Sequence, residues 1–253
     1  MTFAVSRNVF LVLVLACTTA SAQSVDELLE KGDAFDRRFE AADALSVYLI
    51  AEKADPKNVG ILLRIARQYR HLLHDAKAKK EKLQLGRLAL RYAQRAAALA
   101  PNDPETHLSI AISYGKMLPF MGSKEQVETS PRLKSVVDRT LQLDPRNDSA
   151  WHILGRWNRT LAEITGVKRA LAGTLYGGLP KGSKEEAAKA LEKAIALNPN
   201  RLMHHIELGR IYALMGRKDD ARKFINKGLS MPDVEKDDPE MKTKGRETLE
   251  KLR

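Results

Sequence analysis

The 253-residue sequence holds a single cysteine, Cys17. Without a second thiol no internal disulfide can form, and a thiolate metal site is out of reach. Aromatic residues make up only 6% of the chain, too few for a platform that stacks nucleic-acid bases. No H-E-x-x-H occurs, and no histidine stands with carboxylates at a recognised metal spacing: His71 and His74 are three apart, and His204 and His205 are adjacent. There is no G-x-S-x-G, no G-x-G-x-x-G and no P-loop. The glycine-rich run from Tyr176 to Gly182 lacks a strand pattern before it and GK[ST] after it. These gaps leave no catalytic residue, metal or cofactor to expect. Long apolar runs are missing too: the longest candidate runs only from Val9 to Ala22, short of the roughly 20 residues that span a bilayer.

That stretch has the layout of a leader. Arg7 gives a positive start, Val9–Cys17 an apolar middle, and Ala20-Ser21-Ala22 a small-residue cleavage site before Gln23. Residues 1–22 are expected to be a signal peptide and 23–253 the mature domain, exported to a periplasm or cell envelope. Two alternatives stand beside it. VLAC (Val14–Cys17) resembles a lipoprotein box that would anchor the chain through Cys17, and an uncleaved leader would be a short anchor. The net charge of +11 favours acidic partners, whether lipid headgroups, envelope polymers or an acidic protein. No recognition helix or RNP motif accompanies the charge, so nucleic acid is not expected.

What is present is helical in composition, rich in Ala, Leu, Lys, Arg and Glu. It is also periodic. The tetratricopeptide pattern, about 34 residues long, reads W-x2-L-G-x2-Y, then A-x3-F, then P. Small residues sit where two antiparallel helices approach closely, and the proline stops the second helix. The last repeat, from Leu202, fits best: Leu208, Gly209 and Tyr212 on one helix, Gly216 at the turn, Ala221 and Ile225 on the next. The first, from Val25, places Gly32, Phe35, Ala44, Tyr48 and Ala51 and closes on Pro56. Pro101, Pro145 and Pro199 close the others, each followed within three residues by Asn or Asp that can cap the next helix. The fold class is therefore all-α: a tetratricopeptide-like solenoid of about five repeats. The polar tail after Pro232, with Pro239 opening a helix, reads as a cap with a wet outer face.

The period is stretched in the middle. Repeats 2, 3 and 4 reach their prolines about 11, 10 and 20 residues late. Such insertions either build a binding face or lengthen helices for packing. The longest follows WHILGRW and carries Leu161, Ile164, Val167, Leu171 and Leu175 at helical spacing, an apolar face that could lid a groove. The first helix of repeat 4 should either run on through it or restart after Gly166. Family register places Leu63, Leu108, Ile112 and Ile206 on the groove side, with Arg67, Arg70, Arg156, Arg159 and Arg210. An apolar channel with a few guanidinium forks suits an amphipathic anionic ligand. The other reading pairs these arginines with acids across repeats. Arg87, Arg91 and Arg95, preceded by Lys77, Lys79, Lys80 and Lys82, form a basic helix face that either touches a membrane or acidic polymer or is simply solvated. MLPFM (Met117–Met121) is either a soft apolar edge or buried beneath its insertion.

WHILGRW (Trp151–Trp157), the insertion behind it and LSMPDVEKDD (Leu229–Asp238) resemble the regulator of microtubule dynamics proteins, a likeness extending over Val25 to Arg253. The resemblance implies a tetratricopeptide-like domain, microtubule association in animals, and, for a mitochondrial outer-membrane member that tethers the endoplasmic reticulum, phospholipid binding and transfer. This sequence departs from that pattern in its leader; export would remove microtubules from reach and leave lipid binding possible. Two functions follow. One is a binding or transfer module for an anionic phospholipid or similar ligand. The alternative is a protein-interaction scaffold that holds a partner in the groove, including microtubule association if the family role is kept. Nothing in the sequence supports an enzyme.

Overall fold

The computed structural model describes residues 24–166, 169–170 and 178–253. The leader, with Cys17, lies outside the described residues, as do Val167, Leu171 and Leu175 of the expected lid. The described residues are helical throughout, with no strand among them. Five antiparallel pairs follow one another: α1 (Val25–Asp36) with α2 (Ala41–Ala54), α3 (Val59–Asp75) with α4 (Lys79–Leu99), α5 (Pro104–Met117) with α6 (Ser123–Leu143), α7 (Asp148–Glu163) with α8 (Lys184–Leu197), and α9 (Leu202–Leu214) with α10 (Lys218–Leu229). A last helix, α11 (Asp238–Glu250), caps the array against α9 and α10. The tetratricopeptide-like solenoid is therefore present. No described helix is long and apolar enough to cross a membrane.

Each helix starts and stops where local chemistry dictates. Ser24 and Glu27 form a capping box on α1. Asn58, Asp103 and Asn147 accept backbone N–H bonds at the starts of α3, α5 and α7. Asn200 breaks this rule: the residue before α9 is Arg201, which has no acceptor to cap it, and its guanidinium instead donates to Asp148 and Glu235. Pro56, Pro101, Pro145 and Pro199 fall just past α2, α4, α6 and α8, where a helix cannot continue.

Pairs close on small residues. Gly155 and Gly209 occupy equivalent positions in repeats 4 and 5. A Cβ on Gly209 would lie 2.9 Å from the Ala221 carbonyl and 2.6 Å from Ile225, and one on Gly155 would lie 2.7 Å from Leu191. Only glycine lets these backbones approach so closely. Ala44, Tyr48 and Ala51 on α2 are sealed against α1 and α3. Burying a side chain of that size contributes roughly 1.5–3 kcal/mol, and Tyr48 keeps its hydroxyl satisfied by donating to Asp33 at 2.5 Å.

The insertions resolve into longer helices in two cases. In the regular fifth repeat α9 and α10 have 13 and 12 residues; α3, α4 and α6 have 17, 21 and 21. Helix α7 does not run on through the third insertion. It ends at Glu163, Ile164 forms its cap with extended backbone, and Gly166 takes a positive φ of 54°. Gly166, Arg169 and Ala170 are helical again. Leu161, expected in a lid, is buried on α7 itself. The Arg169 guanidinium donates to the carbonyls of Leu161, Ile164, Leu179 and Pro180, clasping the two ends of this insertion.

Candidate functional site

The first helices of neighbouring repeats touch one another, α3 with α5, α5 with α7 and α7 with α9, and form the inner layer of the solenoid. The expected groove residues divide into three groups on it. Leu108 and Ile206 are not groove residues. Leu108 packs among Ala111, Leu133, Val137 and Ala150 between α5, α6 and α7. Ile206 is sealed beside Leu202, Met203 and Met241 and under Gly228 and Gly245, because α10 and α11 cover that face of α9. Leu63 and Ile112 are half-buried, Ile112 packing against the core cluster of Leu108. Among the described residues no apolar channel is formed.

The arginines mostly find partners in the chain. Arg67 reaches Asp36 of the preceding repeat at 3.1 Å. Arg159 donates to Glu207 at 2.6 Å and to Glu163 at 2.5 Å, and Arg210 holds the other oxygen of Glu207 at 2.7 Å. Glu207 is fully buried. Burial would raise its carboxyl, but the charges of Arg159 and Arg210 outweigh that and hold it far below the usual range. Arg70 is buried, and among the described residues its partners are two hydroxyls, Ser109 at 2.9 Å and Ser113 at 3.4 Å. Burial pulls its guanidinium down to about 9, which leaves it charged at neutral pH. Arg156 is half-buried and makes no ion pair or hydrogen bond among the described residues.

The sequence reading missed what covers this wall. The non-helical segment Met231–Asp237, between α10 and α11, folds back as a strap across the inner layer. Its Glu235 meets Arg201 at 2.8 Å, and Lys236 meets Asp75 at 2.8 Å and the Phe39 carbonyl at 3.4 Å. Asp237 accepts from His74 at 3.0 Å and from Lys116. Burial would raise the Asp237 carboxyl; the hydrogen bond from His74 and the Lys116 charge more than reverse this, so it stays ionised well below its usual range. The strap thus joins the first, second, third and fifth repeats. His74 and Asp75 lie on the extra turn of α3, so the lengthening of that helix also supplies strap contacts. The one available signal was the acidic run Asp233–Glu240 in a chain of net charge +11.

Beneath the strap lies a buried polar row. His204 donates from Nε2 to Asp148 at 2.8 Å, and its Nδ1 lies 3.0 Å from Nδ1 of His152. Both rings neutral, with His152 donating, satisfies this row and leaves His152 Nε2 bare, as found. Burial pushes both imidazoles down and holds His71 at about 4. No cluster of described residues could hold a metal ion. The other candidates are structural. Met117 and Met121 are buried against Leu73, Leu83 and Leu90 of the second repeat, Met117 over Gly86 of α4. Arg87 pairs with Glu125, Arg95 with Glu52, and Lys82 donates to the Leu73 and His74 carbonyls that end α3. Among the described residues the recesses are open and shallow, such as one of 350 Å³ between α7 and α8 lined by Trp151, Leu154 and Lys193.

The comparisons with known proteins agree with this architecture. The family model described as regulator of microtubule dynamics protein 1-3 matches residues 22–253. Regulator of microtubule dynamics protein 1 of Bos taurus is 25% identical over 239 residues, 93% of this chain and 74% of that one. Regulator of microtubule dynamics protein 2 of Macaca fascicularis is 26% identical over 86% of this chain, which spans 53% of that longer relative. Among solved structures, the tetratricopeptide protein TTC0263 of Thermus thermophilus superposes with a TM-score of 0.66 at 18% identity over 89% of this chain and 99% of that one. A MamA protein of Desulfovibrio magneticus gives 0.52 at 14% identity over 82% and 94%. Both likenesses speak to the fold alone.

Proposed function

The chain belongs to the regulator of microtubule dynamics protein 1-3 family, and from that premise we propose that it is a non-enzymatic protein-interaction module that binds a partner on the inner face of its solenoid. The observation that carries this is the character of the inner wall. Arg67, Arg70, Lys116, Arg156 and Arg210 bring charge to it, while two of the aliphatic groups that an acyl chain would need, Leu108 and Ile206, are spent in the core. Peptide backbone and side chains are bound by such a polar wall, and solenoids of this kind offer an extended concave surface for them. A phospholipid site, by contrast, calls for a mostly apolar cavity. The relatives are named as regulators of microtubule dynamics; for this chain the partner class in this reading is a protein.

A photo-crosslinking residue placed at Arg67, on the inner layer, and in a second protein at Lys189, exposed on α8, tests the reading in cells. Adducts with a specific protein are expected from position 67 and not from 189. Protein adducts from neither position, with phospholipid found bound by native mass spectrometry, would reject the interaction reading in favour of the lipid one.

A further inference from the structure

We propose that the wall around His74 and Lys116 is a docking site for an acidic peptide of a partner protein, and that the strap Met231–Asp237 is an internal surrogate for that peptide. This rests on the protein-interaction reading and names the chemistry of the partner.

Three observations converge. The first is an imbalance of charge. Lys116, on α5, is half-buried, and its carboxylate partner is Asp237, which arrives on the strap. Arg70 has only serine hydroxyls, and Arg156 has no partner among the described residues; both act electrostatically on this pair, Arg70 near Asp237 and Arg156 near Lys116. The acids nearby are Asp36, engaged by Arg67 and Gln68, Asp75, engaged by Lys236, and Glu240, engaged by Lys244. With the strap lifted, Lys116 loses its hydrogen-bonded carboxylate, and the acids left beside Lys116, Arg70 and Arg156 are Asp75, released by Lys236, and Glu240 on α11, 3.5 Å from His74.

The second observation is how the strap is held. Pro232, Asp233 and Val234 are exposed, Val234 at 66%. Its attachments to the inner wall are ionic: Glu235 to Arg201, Lys236 to Asp75, Asp237 to His74 and Lys116. Its start is tied to α11 by Lys242, which holds Asp233 and the Met231 carbonyl, and by Asp238, which accepts from the Val234 and Glu235 N–H groups. Partly exposed ion pairs of this kind hold weakly and are screened by salt. Met231 anchors the start of the strap on the cluster of Leu202, Met203 and Met241; the part that reaches the wall, Glu235 to Asp237, is bound through charge on non-helical backbone and can be exchanged for another segment of the same chemistry. The third is the place of the site. It joins the ends of α3 and α5, and an extended chain laid there can continue along the wall toward Arg67 and Arg156.

The test uses the full chain and a fluorescein-labelled synthetic peptide of residues 231–241, MPDVEKDDPEM. Fluorescence anisotropy should show the Asp237→Asn chain binding this peptide at least ~10-fold more tightly than the unaltered chain, with affinity falling as salt rises. A peptide with Asn at the position of Asp237 should bind poorly, and Lys116→Gln added to the Asp237→Asn chain should abolish the gain; Arg70→Gln serves if the Lys116 variant fails to fold. Hydrogen exchange reports whether the strap has opened. If it has not in Asp237→Asn, Lys236→Glu is added, which sets an acid against Asp75. A strap still protected in the double variant, or an opened strap with no gain in peptide binding, overturns the proposal. So does equal binding of the Asn peptide, or competition by phosphatidylglycerol vesicles as strong as by the peptide, which would give the patch to a lipid headgroup. A partner captured at position 67 alongside any of these failures would leave the interaction reading standing and remove only the acidic-peptide one.

Discussion

Two carboxylates are held by cations on the inner wall of this solenoid, and they are held differently. Glu207 grows from α9, a helix packed between α8, α10 and α11, and is gripped by Arg159 of the preceding repeat and Arg210 of its own. Asp237 reaches His74 and Lys116 from a strap with no regular structure. Chemically the two clusters are alike. Mechanically, the first is locked between two packed helices, while the second hangs on the short non-helical stretch Glu235–Asp237. A buried ion pair is therefore as permanent as the backbone that presents it.

The largest expected effect breaks the first cluster. Glu207→Ala leaves Arg159 facing Glu163 alone and deprives Arg210 of its acid, in a place that cannot relax; a loss of ~3–5 kcal/mol is expected from urea unfolding. Asp237→Asn should cost less, about 1–2 kcal/mol, because a lifted strap lets Lys116 regain water; the loss of hydrogen-exchange protection should be confined to the strap and the first turn of α11. Equal costs for the two substitutions would erase the distinction between them. Acid provides a third way to separate the clusters. His71, His152 and His204 have folded-state values pushed below the ordinary 6.5 by burial. The unfolded chain then binds more protons than the folded one below about pH 6.5, so their contribution is intact above that pH and is lost as pH falls toward 4. Asp237 and Glu207 remain ionised across that window. Thermal unfolding should thus drop between about pH 6.5 and 4.5 while the ion pairs persist; a flat profile there would contradict neutral buried rings. The smallest effect belongs to the outer face: Arg87→Ala, which removes an exposed pair with Glu125, should change stability by no more than ~0.5 kcal/mol in the same urea experiment.

The repeat skeleton was readable because it is local. Gly209, Ala221 and Ile225 lie within one repeat, and the spacing that brings them together is written in that repeat. The same holds for the capping asparagines and closing prolines. The inner wall was read less well because its contacts are not local. Register alone places Leu108 and Ile206 toward the groove, yet α6 and α7 cover one and α10 and α11 the other. Arg159 meets its acid 48 residues away and Lys116 meets Asp237 at a separation of 121. The option that arginines pair across repeats proved right for Arg67 and Arg159, and for two of the three insertions the option of longer helices did. No periodic signal announced the strap; its acids stand in a polar tail that reads equally well as solvated.

One contact carries a mechanical consequence. Arrays of stacked repeats touch only their neighbours, so they flex like springs and can fray from either end. The bond from Lys236 to the Phe39 carbonyl spans 197 residues, from the last repeat to the turn of the first. It makes the spring a buckled belt. While the strap is seated, the first and last repeats are tied directly as well as through the stack between them; once it lifts, only the contacts between neighbouring helices remain.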